Sequence, residues 1–169
     1  MILGIMSDTH DNIEAVSKAL EIFRKHNVEA IIHLGDIVSP FTLMKIVEFP
    51  ARIVAVLGNN DGDEALLREI AMKAGVVMRK YVHIMDISKR RILLMHGFGS
   101  VETTITLVNA LAQSNIFDVI LYGHTHKTDA RVVGKTLVIN PGEVCGYITG
   151  KRSVAVLDTA TLEYRIIEF

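Results

Sequence analysis

Three short, mainly apolar runs, each followed by a glycine or a polar loop, constrain the fold of this 169-residue chain most strongly. Ile2–Met6, residues 30–34 and Arg52–Leu57 consist largely of Ile, Val, Leu and Ala, without the alternation of a half-exposed strand. Such runs are typical of strands that are buried on both faces of a sheet. Residues 13–26 carry apolar side chains at helical spacing, and residues 39–48 open with Ser-Pro, a common helix start. Alternating strands and helices predict a parallel sheet.

The second half of the chain shows a different pattern, with strands paired across short polar turns. The strands predicted to form hairpins are residues 76–78, 81–87, 91–95, 130–133, 136–140, 153–157 and 162–167. Helices are predicted at residues 64–74 and 103–113, and one more strand at 118–122. Because 50% of the residues are hydrophobic, a large core can form, and we expect one domain spanning residues 1–169. The predicted fold class is α/β, with two packed mixed β-sheets flanked by helices.

Charge and cysteine content narrow the function classes. A formal net charge of −1 gives no basic excess, which argues against an extended nucleic-acid surface. The single cysteine, Cys145, excludes an internal disulfide and is typical of a small buried side chain in a reducing compartment. No apolar run reaches the roughly 18 residues needed to cross a bilayer, and the N-terminus lacks the features of a signal peptide. We therefore expect a cytoplasmic protein without a membrane partner.

Side chains that commonly bind metal ions follow five of the predicted strands. They are Asp8, His10, Asp36, Asn59, His96, His124 and His126. Because ligands bind at the carboxyl ends of strands in open α/β sheets, we expect these side chains to converge. Carboxylate, imidazole and amide ligands without a thiolate favour Mn²⁺, Fe²⁺, Co²⁺, Ni²⁺ or Zn²⁺ and argue against a structural zinc site. Seven ligands exceed the needs of one ion, so the pattern predicts two divalent transition-metal ions.

The segment Gly123-His124-Thr125-His126 closes the strand predicted at residues 118–122. In extended backbone, two histidines one residue apart point to the same side. A glycine before them allows a sharp turn off the strand end. We therefore predict that both imidazoles face the same centre and that Thr125 points away.

The chain resembles the calcineurin-like metallophosphoesterase superfamily, and in particular its small single-domain YfcE/MJ0936-like phosphodiesterases, in five motifs between residues 8 and 126. The motifs are Asp8-x-His10, Gly35-Asp36, Gly58-Asn59-Asn60-Asp61, His96-Gly97 and Gly123-His124-Thr125-His126. The resemblance implies a four-layer α/β/β/α sandwich. It also implies an enzyme that hydrolyses small phosphodiesters by attack of a metal-bridging hydroxide. Members of this group often form dimers or larger assemblies, so a homo-oligomer is expected as well.

The resemblance further implies a role for each site residue. The first ion would be bound by Asp8, His10 and His126, and the second by Asn59, His96 and His124. Asp36 would bridge both ions, because a carboxylate has two oxygens to offer and an imidazole cannot bridge in this way. Catalytic roles are implied for Asn60, Asp36 and His96.

Two positions depart from the superfamily pattern. Asn60 stands where a histidine would lie over the leaving group, and an amide has no proton to give at neutral pH. We therefore expect activated aryl diesters to react faster than monoesters. Glu143 stands where a small hydroxyl residue usually follows the segment Asn140-Pro141-Gly142. That segment is either a wall of the site or an ordinary strand-ending turn.

Several other polar residues have competing interpretations. His26 and His83 are expected to be solvated or locally bonded. His33 either supports the neighbouring ligand loop or is a structural strand residue, and the structural role is expected. Asp61 would either orient the neighbouring asparagines or cap the helix that follows it. Asn12 would either contact substrate or cap the first helix, and the capping role is expected.

Three functions compete at this point. The first is a two-metal phosphodiesterase. The second is a non-catalytic, retromer-like protein-interaction scaffold, and the third is a metal-dependent nuclease that acts on short oligonucleotides. The scaffold proteins of this fold have degraded ligand sets, whereas all seven ligand positions are filled here, which favours the enzyme.

Overall fold

The computed structural model describes residues 1–169 and contains eleven strands and four helices. The strands are β1 Ile2–Met6, β2 Ala30–His33, β3 Arg52–Leu57, β4 Val77–Lys80, β5 Val82–Ile87, β6 Arg90–Met95, β7 Val119–Tyr122, β8 Thr128–Val133, β9 Thr136–Pro141, β10 Ser153–Asp158 and β11 Tyr164–Glu168. The helices are α1 Ile13–Lys25, α2 Pro40–Ile46, α3 Glu64–Lys73 and α4 Val101–Gln113. None of these helices is both long and apolar enough to cross a membrane.

Two mixed sheets form the centre of the molecule. The first has the strand order β11-β10-β1-β2-β3-β4, in which β1 to β4 pair in parallel and β10 pairs antiparallel with both β1 and β11. The second has the order β5-β6-β7-β9-β8, with parallel pairing at β6, β7 and β9. Three predicted hairpins are confirmed as the antiparallel pairs β5-β6, β8-β9 and β10-β11.

Successive residues of the central strands face different cores. In β1, Leu3 packs between the two sheets, whereas Met6 packs against the helices of the first sheet. In β7, Leu121 packs between the sheets, whereas Ile120 packs with residues of α4. Both faces of each central strand are therefore buried, which explains the continuous apolar runs in the sequence. The result is the predicted four-layer order, with α1, α2 and α3 outside the first sheet and α4 outside the second.

The prediction of a hairpin strand at residues 76–78 is wrong. β4 pairs in parallel with β3 in the first sheet, where Met78 lies opposite Ala55. β5 belongs to the second sheet, and only Tyr81 separates it from β4. Tyr81 has a φ of +70°, in the left-handed region, where the chain passes from one sheet to the other. Composition locates a strand but does not identify its partner, because pairing depends on tertiary packing.

Helix caps bear out one prediction and correct another. Asn12 Oδ1 accepts a hydrogen bond from Ala15 N at 3.1 Å, so Asn12 caps α1 as expected. The cap of α3 is Asp63, whose Oδ1 accepts from Leu66 N at 3.1 Å. The alternative in which Asp61 caps this helix is therefore wrong.

Candidate metal centre

Five loops that follow parallel strands converge on one polar cluster. β1, β2 and β3 come from the first sheet, and β6 and β7 from the second. The loops carry the seven predicted ligands Asp8, His10, Asp36, Asn59, His96, His124 and His126. Backbone hydrogen bonds tie the first two loops together, since Asp8 N donates to Gly35 O at 3.0 Å and His10 N donates to Asp36 O at 3.1 Å.

The first half-site consists of Asp8, His10, Asp36 and His126. One ligand atom from each residue lies within 4.8 Å of those of the other three. His10 Nε2 is 3.3 Å from Asp36 Oδ2, and His126 Nε2 is 3.5 Å from Asp8 Oδ1. Both carboxylates are buried, whereas the side chains of His10 and His126 are 21% and 15% exposed. Two buried carboxylates thus form the base of this half-site, and two imidazoles form its solvent-facing side.

The second half-site consists of Asn59, His96 and His124 and adjoins Asp36. His96 Nε2 is 3.0 Å from Asn59 Oδ1, 3.3 Å from His124 Nδ1 and 3.4 Å from Asp36 Oδ1. Because the other oxygen of Asp36 faces His10, one carboxylate contacts both half-sites.

In the second half-site, the imidazole nitrogens that face inward lack a proton when the rings are neutral. Backbone carbonyl oxygens only accept, so His96 Nδ1 donates to Leu34 O at 2.7 Å and His124 Nε2 donates to Gly99 O at 2.9 Å. A neutral imidazole has one N–H, so His96 Nε2 and His124 Nδ1 then present lone pairs to each other. Asn59 Oδ1 adds a third acceptor. Such a group of acceptors needs a positive charge among them, either an added proton or a metal ion.

The first half-site also contains buried polar atoms that lack a hydrogen-bond partner. Asp8 Oδ1 and His10 Nε2 are buried atoms without a hydrogen-bond partner, which is rare in folded proteins. His126 Nδ1 lies 2.8 Å from Glu143 Oε2 and donates to it, which directs the Nε2 lone pair toward Asp8. Unpaired carboxylate and imidazole acceptors in a buried cluster fit divalent cations.

The electrostatics of the cluster favour added positive charge. Burial lowers the pKa of His96, but the Asp36 and Asp8 carboxylates outweigh burial and raise the pKa above its ordinary value. The contact with Asp36 likewise raises the pKa of His10. Burial raises the pKa of Asp8, whereas contacts from His10, His96 and Asn60 outweigh burial and lower the pKa of Asp36. Asp36 therefore stays ionised at the centre of the cluster.

Asn60 contacts both oxygens of Asp36. Its backbone N–H donates to Asp36 Oδ1 at 2.9 Å, and its side-chain Nδ2 donates to Asp36 Oδ2 at 2.8 Å. The amide group therefore orients the shared carboxylate.

Five of the seven predicted ligands have left-handed backbone conformations. Their φ angles are +53° at Asp8, +40° at His10, +57° at Asp36, +68° at His124 and +59° at His126. Non-glycine residues adopt positive φ uncommonly, and each such residue costs about 1–3 kcal/mol of strain. Strain of this kind clusters at functional sites because the surrounding structure must over-determine the geometry.

The expectation of extended backbone at His124 and His126 is wrong. Both residues have positive φ, so the alternation of a strand does not apply to them. Their rings instead reach different half-sites, with His124 Nδ1 directed to His96 and His126 Nε2 directed to Asp8. Gly123 has no positive φ, so the predicted sharp turn does not account for it. A Cβ there would collide with the Ser7 hydroxyl, which makes glycine necessary for close packing.

Glu143 and Cys145 lie behind His126 and are not among the ligands predicted from the sequence. Burial alone would raise the pKa of Glu143, but hydrogen bonds from Cys145, Thr149 and His126 hold it at about 2. Burial and the nearby carboxylate raise the pKa of the Cys145 thiol to about 12, so its sulfur stays protonated and donates to Glu143 Oε2 at 3.0 Å.

Asn140 Nδ2 donates to Thr125 Oγ1 at 2.9 Å, so the Asn140-Pro141-Gly142 turn supports the loop that carries the two histidines.

His33 has a supporting role that its strand position alone does not show. His33 Nδ1 accepts a hydrogen bond from Gly35 N, and Nε2 lies 3.2 Å from Thr9 Oγ1. Thr9 Oγ1 in turn donates to Asp36 O at 3.1 Å. Burial lowers the pKa of His33 to about 3, so the ring is neutral and joins the loops after β1 and β2. The sequence signal for this role is a histidine at the end of an otherwise apolar strand.

Three further polar residues lie outside the ligand set. Asp61 accepts hydrogen bonds from Gly58 N at 2.6 Å and Val38 N at 2.7 Å, so it ties the loops after β3 and β2 together. His26 is the C-cap residue that follows α1, and His83 lies in β5. Neither histidine contacts the cluster.

A cavity of about 290 Å³ adjoins the second half-site. Asn59, His96 and His124 line it together with Tyr81 and Phe98, whose ring centroids are 5.9 Å apart. Phe98 also lines a neighbouring apolar groove between β5, β6 and α4. The second half-site therefore opens onto an aromatic wall.

Two mixed sheets between helices, with this cluster at the carboxyl ends of their parallel strands, define a metallophosphoesterase, a metal-dependent hydrolase. Residues 1–162 match the calcineurin-like phosphoesterase superfamily domain, and the chain belongs to that superfamily.

Similar proteins include two named phosphodiesterases. Phosphodiesterase MJ0936 of Methanocaldococcus jannaschii is 38% identical over 169 residues, which cover 99% of this chain and 98% of the relative. Phosphodiesterase YfcE of Escherichia coli K12 is 28% identical over 85% of this chain and 79% of the relative. The solved structure of a novel archaeal phosphodiesterase aligns over 100% of both chains, with 38% identity and a TM-score of 0.91. Vps29 of Entamoeba histolytica aligns over 100% of this chain and 99% of its own, with 18% identity and a TM-score of 0.72, which shows a shared fold alone.

Proposed function

We propose that this protein is a two-metal phosphodiesterase that hydrolyses small phosphodiesters. The observation that carries the proposal is the position of Asp36, whose two oxygens lie 3.3 Å from His10 and 3.4 Å from His96. A carboxylate that contacts two half-sites is suited to bridge two cations. Divalent ions at such a pair of sites supply an activated water nucleophile and neutralise charge on the phosphoryl oxygens.

The chain's own residues would hold and orient the ions. Asp8, His10 and His126 would serve one ion, Asn59, His96 and His124 the other, and Asp36 both. Oxygen and nitrogen donors without a thiolate suit Mn²⁺, Ni²⁺, Fe²⁺, Co²⁺ or Zn²⁺, and metal availability in the cell would decide among them. Asn60 would orient the shared carboxylate through its two hydrogen bonds, rather than donate a proton to the leaving group.

The substrate class follows from Asn60 and the aromatic wall. Without a proton donor at position 60, hydrolysis is fastest when the leaving group is a stable anion, as an activated aryl oxide is. The cavity beside the second half-site offers Tyr81 and Phe98 as apolar contacts for an aromatic ester group. A diester also carries less negative charge than a monoester dianion, so the ions have less charge to neutralise. Aryl phosphodiesters are therefore the preferred model substrates.

The test compares substrate classes in the wild type and in Asn60→His, both loaded with Mn²⁺ and matched for metal content. The measurement is kcat/KM for an activated aryl diester, an aryl monoester and an alkyl diester. We expect the wild type to prefer the aryl diester. The variant should gain most on the alkyl diester, since general-acid catalysis contributes about 10²–10⁴ in rate. A wild type that prefers monoesters, or a substitution that changes all classes equally, would contradict this account of Asn60.

The alternative functions give different results when a short oligonucleotide is added to these substrates. A retromer-like scaffold would hydrolyse none of the substrates, even when loaded with metal. A nuclease would cleave short oligonucleotides faster than aryl diesters. The complete set of seven ligand side chains in one cluster supports the enzyme over the scaffold. A homo-oligomer is the expected assembly, and gel filtration with light scattering would test it.

A further inference from the structure

Glu143 is a fully buried carboxylate with an unusual number of hydrogen-bond donors around it. His126 Nδ1 and Cys145 Sγ approach Oε2 at 2.8 and 3.0 Å. Thr149 N and Thr149 Oγ1 approach Oε1 at 2.6 and 2.7 Å, and Ile148 N lies 3.1 Å from the same oxygen. Burying a charged carboxylate is costly unless it is hydrogen-bonded, and here the donors satisfy both oxygens.

The two oxygens of Glu143 have different partners except for Ile148 N, which lies 3.1 Å from Oε1 and 3.2 Å from Oε2. Oε1 binds the loop at Ile148 and Thr149, which fixes the carboxylate in place. Oε2 accepts from His126 Nδ1, which places the proton on Nδ1 and the lone pair on Nε2. The loop thus serves as the support, and the imidazole is the group that is oriented.

His126 differs in this respect from the histidines of the second half-site. His96 and His124 donate to the neutral carbonyl oxygens of Leu34 and Gly99. A carboxylate partner fixes the tautomer of a metal-binding histidine and also makes the ring a stronger ligand. The first half-site therefore contains a histidine supported by a carboxylate and, in addition, the unpaired oxygen Asp8 Oδ1.

Two other roles for Glu143 do not fit its contacts. As a direct metal ligand it would need an oxygen turned toward the half-site, but both oxygens are occupied by donors from the loop, Cys145 and His126. As a member of a separate metal site with His126 and Cys145, it would need a thiolate, whereas the Cys145 sulfur donates its proton to the carboxylate.

We propose that Glu143 is a positioning residue that holds His126 in the Nδ1–H tautomer, with Nε2 aimed at the first half-site, and thereby tightens metal binding there. This proposal rests on the proposed two-metal function for its second part only, because the tautomer exists with or without metal. Loss of a carboxylate that supports a metal-binding histidine lowers metal affinity by about 10–100-fold.

The first experiment needs no metal. In ¹⁵N-histidine-labelled protein treated with EDTA at alkaline pH, long-range ¹H–¹⁵N correlation spectra distinguish the Nδ1–H and Nε2–H tautomers of His126. We expect the wild type to show Nδ1–H and Glu143→Gln to lose this preference, since one amide oxygen cannot serve both His126 and the loop. An Nε2–H tautomer in the wild type would overturn the proposal even if the variant failed to fold.

The second experiment titrates the EDTA-treated protein with Mn²⁺ by calorimetry. Glu143→Gln should weaken one site by about 10–100-fold and leave the other within a few-fold. Thr149→Val is the matched control, because it removes a hydrogen bond to Glu143 Oε1 without touching His126. Thr149→Val should keep the tautomer and nearly wild-type affinity.

Two results would contradict the proposal at this stage. Equal losses in Glu143→Gln and Thr149→Val would mean that Glu143 only stabilises the loop. Unchanged affinity in Glu143→Gln would mean that it does not support the metal ligand. A wild type that binds no Mn²⁺ while showing the Nδ1–H tautomer would instead refute the two-metal function and the tightening of metal binding, leaving the positioning part intact.

Discussion

The two half-sites share Asp36 but differ in charge and in support. The first adds the buried Asp8 carboxylate, and Glu143 stands behind its ligand His126. The second adds no further carboxylate, and its two imidazoles are oriented by backbone carbonyl oxygens. The second also opens onto a cavity with aromatic walls, which the ligands of the first do not line.

This difference predicts different metal affinities and different roles for the two half-sites. A divalent cation is attracted more strongly by two carboxylates than by one, particularly where burial reduces screening. We therefore expect the first half-site to bind metal more tightly. We also expect the second half-site, next to the cavity, to exchange its ion more easily and to lie closer to the ester group of the substrate.

The largest expected effect comes from the residue that the half-sites share. Asp36→Ala removes a ligand from both and should lower kcat/KM by about 10³-fold or more, since bound metal contributes several kcal/mol to such reactions. Metal analysis should show both ions weakened, and circular dichroism should show an intact fold, because Asp36 lies in a loop after β2. Retention of both ions with near-normal turnover would refute the bridging role.

The next test separates the half-sites. His126→Ala should mainly weaken the first ion and His124→Ala the second, because their inward nitrogens face Asp8 and His96 respectively. Titration with Mn²⁺ followed by metal analysis should show one ion lost in each variant, with the tighter site lost in His126→Ala. If both variants lose both ions equally, the half-sites do not act separately and the comparison fails.

The sequence predicts the framework of the molecule better than the shape of the site. Buried strands and an amphipathic helix such as α1 follow from local patterns, and so does the placement of Asp8 and His96 after strand ends. The hairpin pairing predicted for residues 76–78 is wrong, because the partner of β4 depends on tertiary packing and the chain passes to the other sheet at Tyr81.

The finer geometry depends on contacts between distant segments. The left-handed backbone at His124 and His126 is imposed by packing of the loops and has no signature in a Gly-His-Thr-His motif. Glu143 is separated from His126 by 17 residues, so only the folded chain shows that it orients the imidazole. In the sequence, Glu143 stands out only as a departure from a family pattern, and that departure does not indicate its structural role.

A smaller effect would sharpen the account of the second half-site. Phe98→Ala removes half of the aromatic wall and should raise KM for an aryl diester by about 3–10-fold, in line with 0.5–1.5 kcal/mol for an aromatic contact. KM for an alkyl diester and the affinity for Mn²⁺ should stay unchanged. Phe41→Ala is the matched control, because Phe41 is 75% exposed on α2, outside the cavity. Equal KM changes for both diesters would show that the wall does not recognise the ester group.

The smallest expected effect is on the stability of the metal-free protein, in which protons would replace the metal ions of both half-sites. The pKa values of His10 and His96, one in each half-site, are raised above the ordinary value of 6.5. The folded state therefore binds more protons than the unfolded state just above pH 6.5, so stability falls as the pH rises through the folded pKa values. The raised pKa of Asp8 acts in the same direction, whereas Asp36 is ionised in both states over this range.

In EDTA, the melting temperature should fall by a few degrees between about pH 6 and pH 8, since 1 kcal/mol shifts it by about 2–4 °C in a chain of this size. Saturating Mn²⁺ should flatten or reverse this trend, because bound ions replace the protons. His10→Ala and His96→Ala should each remove part of the slope, and a melting temperature that rises with pH in EDTA would show that neither ring holds the extra proton.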